Sequence, residues 1–223
     1  GVAAVMGVST GANAATPATA ATAGAAPINN VATASYSVAG VSQPSVTSNT
    51  VTVNVSETAN FALVSTVDDG SIGDDTAINQ TATPGGTTIF THTLTNTGNV
   101  TDTYTINTTG NDSPLVTATP NYALGTAPVT FTIVQANGTP LTNAQVTALG
   151  TQAQTGSLTN VQTIRLQPGT RANLSYEATT PDNRNGNDKG VGTLTATSTF
   201  FTANQPANAT LVNENQTIVR LPT

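Results

Sequence analysis

The chain has 223 residues, 37% of them hydrophobic but only 7% charged, with five Lys or Arg against eleven Asp or Glu and a net charge of −6. Ordinary soluble domains carry about 25% charged residues, and nucleic-acid binding by counterion release needs clustered cations. The scattered Lys189, Arg165, Arg171, Arg184 and Arg220 therefore argue against nucleic acid and anionic membrane as partners, and the absence of cysteine removes disulfides and thiolate metal sites.

Residues 1–14, GVAAVMGVSTGANA, are small and apolar and close on Ala12-Asn13-Ala14, the A-x-A pattern of a signal-peptidase site. The alternation of Val2, Ala4, Met6 and Val8 allows a second reading, a strand donated to a neighbouring subunit. No stretch reaches the roughly 20 apolar residues of a membrane span. Residues 15–27 are low-complexity Ala/Thr/Pro and read as a flexible linker with too little side-chain mass to pack.

From Ile28 onward, β-branched runs alternate with turn residues. Thr and Val lose χ1 freedom in a helix and suit a pleated surface. Residues 28–57 read as an N-terminal strand pair: Val31–Val38 and Thr50–Val55, joined by a long loop containing Gly40 and Pro44. In the second run Val51, Val53 and Val55 share a face, the period-2 signature of a half-buried strand.

The rest, 58–223, reads as a β-sandwich. Phe61–Val67 leads into an acidic loop. Phe90, His92 and Leu94 share a face, and Asn96-Thr97-Gly98-Asn99 predicts a hairpin to the strand bearing Tyr104 and Ile106. Val129, Phe131 and Ile133 form another inward set, then a short helix is plausible at Asn143–Ala148. Ala172, Leu174, Tyr176 and Ala178 alternate after Pro168-Gly169, and further strands lie near Leu194 and Ile218. Two Pro-Gly turns feed similar strands, TPGGTTIFTHTLTNT and LQPGTRANLSYEATT, which allows two related halves at about 58–140 and 141–223. Short, regularly spaced strands imply an all-β fold, a sandwich or barrel, preceded by an extended N-terminal segment.

Candidate chemistry is sparse. His92 is the single histidine; its inward position favours a core role, with Asp102 on the next strand as a conceivable partner, and no G-x-S-x-G elbow accompanies it. Asp68, Asp69, Asp74 and Asp75 concentrate carboxylates in one loop, and Asp182 and Asp188 bound a second oxygen-rich loop; both suggest calcium as a cofactor. Their spacing departs from D-x-[DN]-x-[DN]-G and lacks the distal Glu, so a solvated acidic turn is the simpler reading. No catalytic set emerges, and the chain is expected not to be an enzyme.

INNVATASYSVAG, SNTVTVNV and PGGTTIFTHTLTNTGNVTDTYTI resemble the conserved-repeat modules of bacterial surface proteins, and more distantly the main subunits of thin Acinetobacter-type surface fibres. The resemblance covers about residues 28–110, and 160–200 more loosely. It implies an immunoglobulin-like antiparallel β-sandwich and an exported, extracellular structural role, and brings no catalytic residues. The expected function is a subunit of an extracellular fibre, pilus or surface coat, forming a homopolymer by β-strand addition, with Val31, Ala34, Tyr36 and Val38 as the assembly strand. The alternative is a monomeric adhesin-like module that recognises a glycan or host protein as its surface ligand.

Overall fold

The computed structural model describes residues 14–24, 26–110, 115–116, 119–159 and 162–223. The Val2–Val8 alternation lies outside these residues. The fold is nearly all β and divides into a sandwich and a projecting two-stranded arm.

The sandwich strands are β1 Phe61–Ser65, β2 Thr76–Ala82, β3 Thr87–Asn96, β4 Asp102–Gly110, β5 Val129–Gln135, β6 Thr155–Leu158, β7 Thr163–Leu166, β8 Thr170–Thr179, β9 Lys189–Ser198 and β10 Thr210–Val219. One sheet runs β2-β10-β9-β4-β7, the other β6-β5-β8-β3-β1. The ladders are antiparallel except that β2 lies parallel to β10 and Tyr122–Ala123 parallel to the start of β9. Two short helices complete the order, α1 Asn143–Ala148 and α2 Thr199–Asn204. Thr142 and Gln145 close a capping box on α1, satisfying backbone donors that a helix start leaves unpaired.

Alternation along the strands makes the core, because successive side chains point to opposite faces. Phe90 and Leu94 of β3, Leu174 and Tyr176 of β8, Tyr104 and Ile106 of β4, Leu194 and Ala196 of β9, and Phe61 and Leu63 of β1 are all buried between the sheets. Phe61 anchors one end, its ring centroid 5.2 Å from that of Tyr104 and 5.3 Å from that of Phe201 on α2. Both proposed halves feed both sheets, so the strands form one interleaved sandwich rather than two.

Two local expectations fail for identifiable reasons. The predicted β3–β4 hairpin does not form: β3 pairs with β8 and β1, while β4 pairs with β9 and β7 in the opposite sheet. The Asn96 amide donates to the carbonyls of Val100 and Leu166, 2.9 Å each, which turns the chain across the sandwich. Gly98 presses against the backbone of Thr58–Asn60, where a Cβ would come within 2.6 Å of the Thr58 carbonyl oxygen. The Ala/Thr/Pro stretch also behaves differently from a linker. Ala15 exchanges backbone hydrogen bonds with Leu63, Ala21–Thr22 pairs with Thr58–Ala59, and Ala21 is buried in the core. Its small side chains are what let this segment lie close against the sandwich.

Candidate assembly surface

The arm is a single ladder running from Ala26 to Val55. Ala26–Asn30 pairs with Val51–Val55, Thr33–Ala34 with Val46–Thr47, and Ser37–Val38 with Val41–Ser42. Ala39 and Gly40 form the turn with φ of 51° and 79°. Two positive φ values in a two-residue loop match the right-handed twist of the strands, and the second position suits glycine. The long loop expected around Gly40 and Pro44 is thus the returning strand.

Register shifts by one residue between the Asn30–Val51 and Thr33–Thr47 pairs, and again between Ala34–Val46 and Ser37–Ser42. Each shift places one extra residue on the returning strand, a β-bulge. Bridging bonds keep the ladder continuous: Ser48 N donates to Ala32 O at 2.8 Å and Gln43 N to Tyr36 O at 2.9 Å.

The bulges decide which side chains share a face. Val41, Val46 and Val51 are spaced by five, an odd number that would scatter them to opposite faces of a regular strand. One extra residue in each interval returns them to the same side. Cross-strand partners share a face, so Ile28, Ala32, Ala34, Tyr36 and Val38 of the first strand join Val41, Val46, Val51, Val53 and Val55 of the second. Only Asn30, Gln43 and Ser48 interrupt this face. The other carries Asn29, Val31, Thr33, Ser35, Ser37, Ser42, Thr47, Thr52 and Asn54, and Thr52 Oγ1 donates to Asn29 Oδ1 at 2.8 Å.

Burial is absent throughout. Every described residue from Pro27 to Glu57 is exposed apart from half-buried Gln43, and Val41, Val38 and Ile28 are 63%, 57% and 56% exposed. The first charged residue of the chain is Glu57, so the arm is uncharged. Of the assembly-strand residues expected from sequence, Ala34, Tyr36 and Val38 lie on the apolar face, whereas Val31 lies on the polar one. The valines of Val51–Val55, expected to be half-buried, meet no core. Val41 and Val46 escaped sequence reasoning because their odd spacing hides the shared face; the Ala39-Gly40 turn was the signal that could have revealed it.

The acidic loop is organised by its own backbone. Asp68 Oδ1 accepts from Gly70 N, Asp69 Oδ1 from Ser71 N, Asp69 Oδ2 from Ile78 N and Asp74 Oδ1 from Thr76 N, at 2.9–3.1 Å. Burial raises the pKa of Asp75, with Asp74 and Glu214 pushing the same way. Among the described residues no group of three or more His, Asp or Glu is arranged to hold a metal ion.

His92 is buried between the sheets. Its Nδ1 lies 2.8 Å from Asn213 Oδ1, while Asn213 Nδ2 donates to the carbonyls of Leu63 and Val212. Those two bonds fix the amide orientation, so His92 Nδ1 carries the proton and donates. Burial lowers the His92 pKa to about 4 against the smaller opposing effect of Asn213 and Asn215, and the ring stacks on Tyr176 at 6.2 Å. Asp102 is not its partner. That carboxylate accepts from Ser198 Oγ and from Phe200 N, joining β4 to the start of α2.

No protein-family model and no curated protein matches the chain. Among solved structures it is similar to the ASH/PapD-like domain 7 of human CEP192, with 9% identity over 67% of this chain and 83% of that one, at a TM-score of 0.34. It is also similar to a family 123 glycoside hydrolase from Clostridium perfringens, again with 9% identity, over 66% of this chain but only 23% of the hydrolase, at a TM-score of 0.36. Overlaps this loose carry no functional information. The class is that of an immunoglobulin-like β-sandwich, here extended by an exposed β-arm.

Proposed function

We propose that this protein is a non-enzymatic structural subunit of an extracellular fibre or surface coat, and that subunits join by β-strand addition through the arm. The observation that supports this reading is an uncharged two-stranded ribbon with ten apolar residues on one face and, among the described residues, no core beneath it. An isolated hairpin is marginal in water, and contiguous exposed apolar surface marks an interaction site.

The two edges of the ribbon differ. The returning strand carries Pro44 and both bulges, which interrupt pairing. The first strand has no bulge and no charge, and its one proline, Pro27, lies near its start, so its outer edge from Ile28 to Val38 is the regular one for an incoming strand. Main-chain hydrogen bonds along that edge supply affinity, and alternate side chains supply register. Every subunit carries the same arm, so the assembly is a homopolymer. Exported, cell-surface location belongs to the same proposal.

An adhesin-like module that binds a glycan or host protein is less well supported. The chain has no Trp; Tyr104, Tyr122 and Tyr176 are buried, and Tyr36 on the arm is the exposed tyrosine. Exposed tyrosine and tryptophan platforms for sugar are therefore lacking on the sandwich. Light scattering and negative-stain microscopy of the purified chain decide the matter. Filaments are expected from the full chain, and soluble folded monomers when residues 26–55 are replaced by a short Gly/Ser connection. Filaments that persist after that replacement contradict the role of the arm.

A further inference from the structure

The ribbon presents an edge and a face, and strand addition uses only the edge. We infer that the apolar face is covered by the same face of a second copy, the two ribbons stacking as a two-layered β spine from which the sandwiches project. This inference rests on the reading of the arm as an assembly element.

Three features single out a second arm as the occupant. The face is uncharged, so two copies meet without repulsion. Its relief is self-complementary: on the first strand Ala32 and Ala34 form a shallow trough between Asn30 and Tyr36, while Val46 stands beside Ala34 on the second strand. A two-fold axis along the ribbon lays the first strand of each copy over the second strand of the other, so that Val46 of one meets Ala34 of its mate. The contact is isologous, each copy giving and receiving the same side chains. Finally, the two bulges correct the spacing of Val41, Val46 and Val51 so that all three stay on this face, and the same correction leaves Thr and Ser on the other.

Size also distinguishes a dimer from a polymer. Thirteen residues at about 3.3 Å each make a ribbon about 40 Å long. A face roughly 10 Å wide then gives on the order of 400 Å² per copy, or about 800 Å² for the pair, against about 1,600 Å² for a stable interface. One pair of arms is therefore weak, and face packing becomes stable when repeated along strand-paired edges.

The chain has no cysteine, which makes single-cysteine probes clean. Ala34→Cys chains and Val46→Cys chains are mixed, assembled and treated with a bismaleimide reaching about 10 Å, the spacing of stacked sheets. Thr33→Cys mixed with Thr47→Cys probes the opposite face. Expected is a two-chain product at least about tenfold more abundant for the first mixture than for the second, where tenfold corresponds to about 1.4 kcal/mol of preference. Ala32→Cys with Ser48→Cys repeats the test should either first substitution impair assembly. Polymers that form without preferential cross-linking of the apolar face overturn the stacked spine and leave the assembly role of the arm intact. Chains that never assemble overturn both.

Discussion

The arm and the sandwich are written in the same residues, alternating Val, Thr, Ala and Asn, yet they end in opposite environments. In the sandwich, Leu94 and Leu174 point inward from neighbouring strands to meet Tyr104, Ile106 and Leu194 from the facing sheet. In the arm, Ile28 pairs across the ladder with Val53, and Ala34 with Val46, but among the described residues no second layer lies beneath them. A period-2 pattern specifies that one face wants cover. It does not specify whether the same chain supplies it.

Folding is most sensitive to substitution in the sandwich, the region that has cover. Phe61→Ala empties the space against Tyr104 and Phe201, and aromatic-to-alanine changes in a core cost about 3–5 kcal/mol. Thermal or urea unfolding followed by circular dichroism measures the loss. A cost under about 1 kcal/mol would show that the Phe61 cluster is not the tightly packed core described.

Acid comes next. The unfolded chain takes up a proton on His92 near pH 6.5, whereas the folded chain, with this pKa lowered to about 4 by burial, does not until much lower pH. Stability is full above about pH 6.5 and falls as pH drops towards 4, by up to about 3 kcal/mol. Asp75 acts in the opposite sense, since burial raises its pKa and the folded chain takes its proton first. Urea melts at pH 7, 5.5 and 4.5 should show the decline, and His92→Gln should flatten it. An unchanged slope in the variant would assign the decline elsewhere.

Much of the sandwich was legible in the sequence because each inward set declares itself over four or more residues: Phe90-x-His92-x-Leu94, or Ala172 to Ala178. The helix at Asn143–Ala148 was equally readable from its local pattern. What could not be read were pairings settled by side chains remote in sequence. Asn96 reaching Leu166 sends β4 to the other sheet, and no local turn rule contains that information. The Ala/Thr/Pro segment was illegible for a different reason. Low side-chain mass usually means nothing to bury, but here it fits Ala21 into a space that a larger residue would not enter. The arm was half legible. Its strands and uncharged composition stand in the sequence, while the shared face of Val41, Val46 and Val51 depends on bulges visible only in the ladder.

Substitution on the arm is expected to have the smallest effect on folding and the largest on assembly. Val46→Asp combined with Val51→Asp places two carboxylates on the apolar face at positions exposed in the single chain. Surface substitutions of this kind usually change stability by no more than about 0.5 kcal/mol. Negative-stain microscopy of the natural chain and this variant, with unfolding curves recorded in parallel, is predicted to show filaments from the first and dispersed particles of unchanged stability from the second. Filaments of the same number and shape from both would contradict burial of the apolar face between subunits.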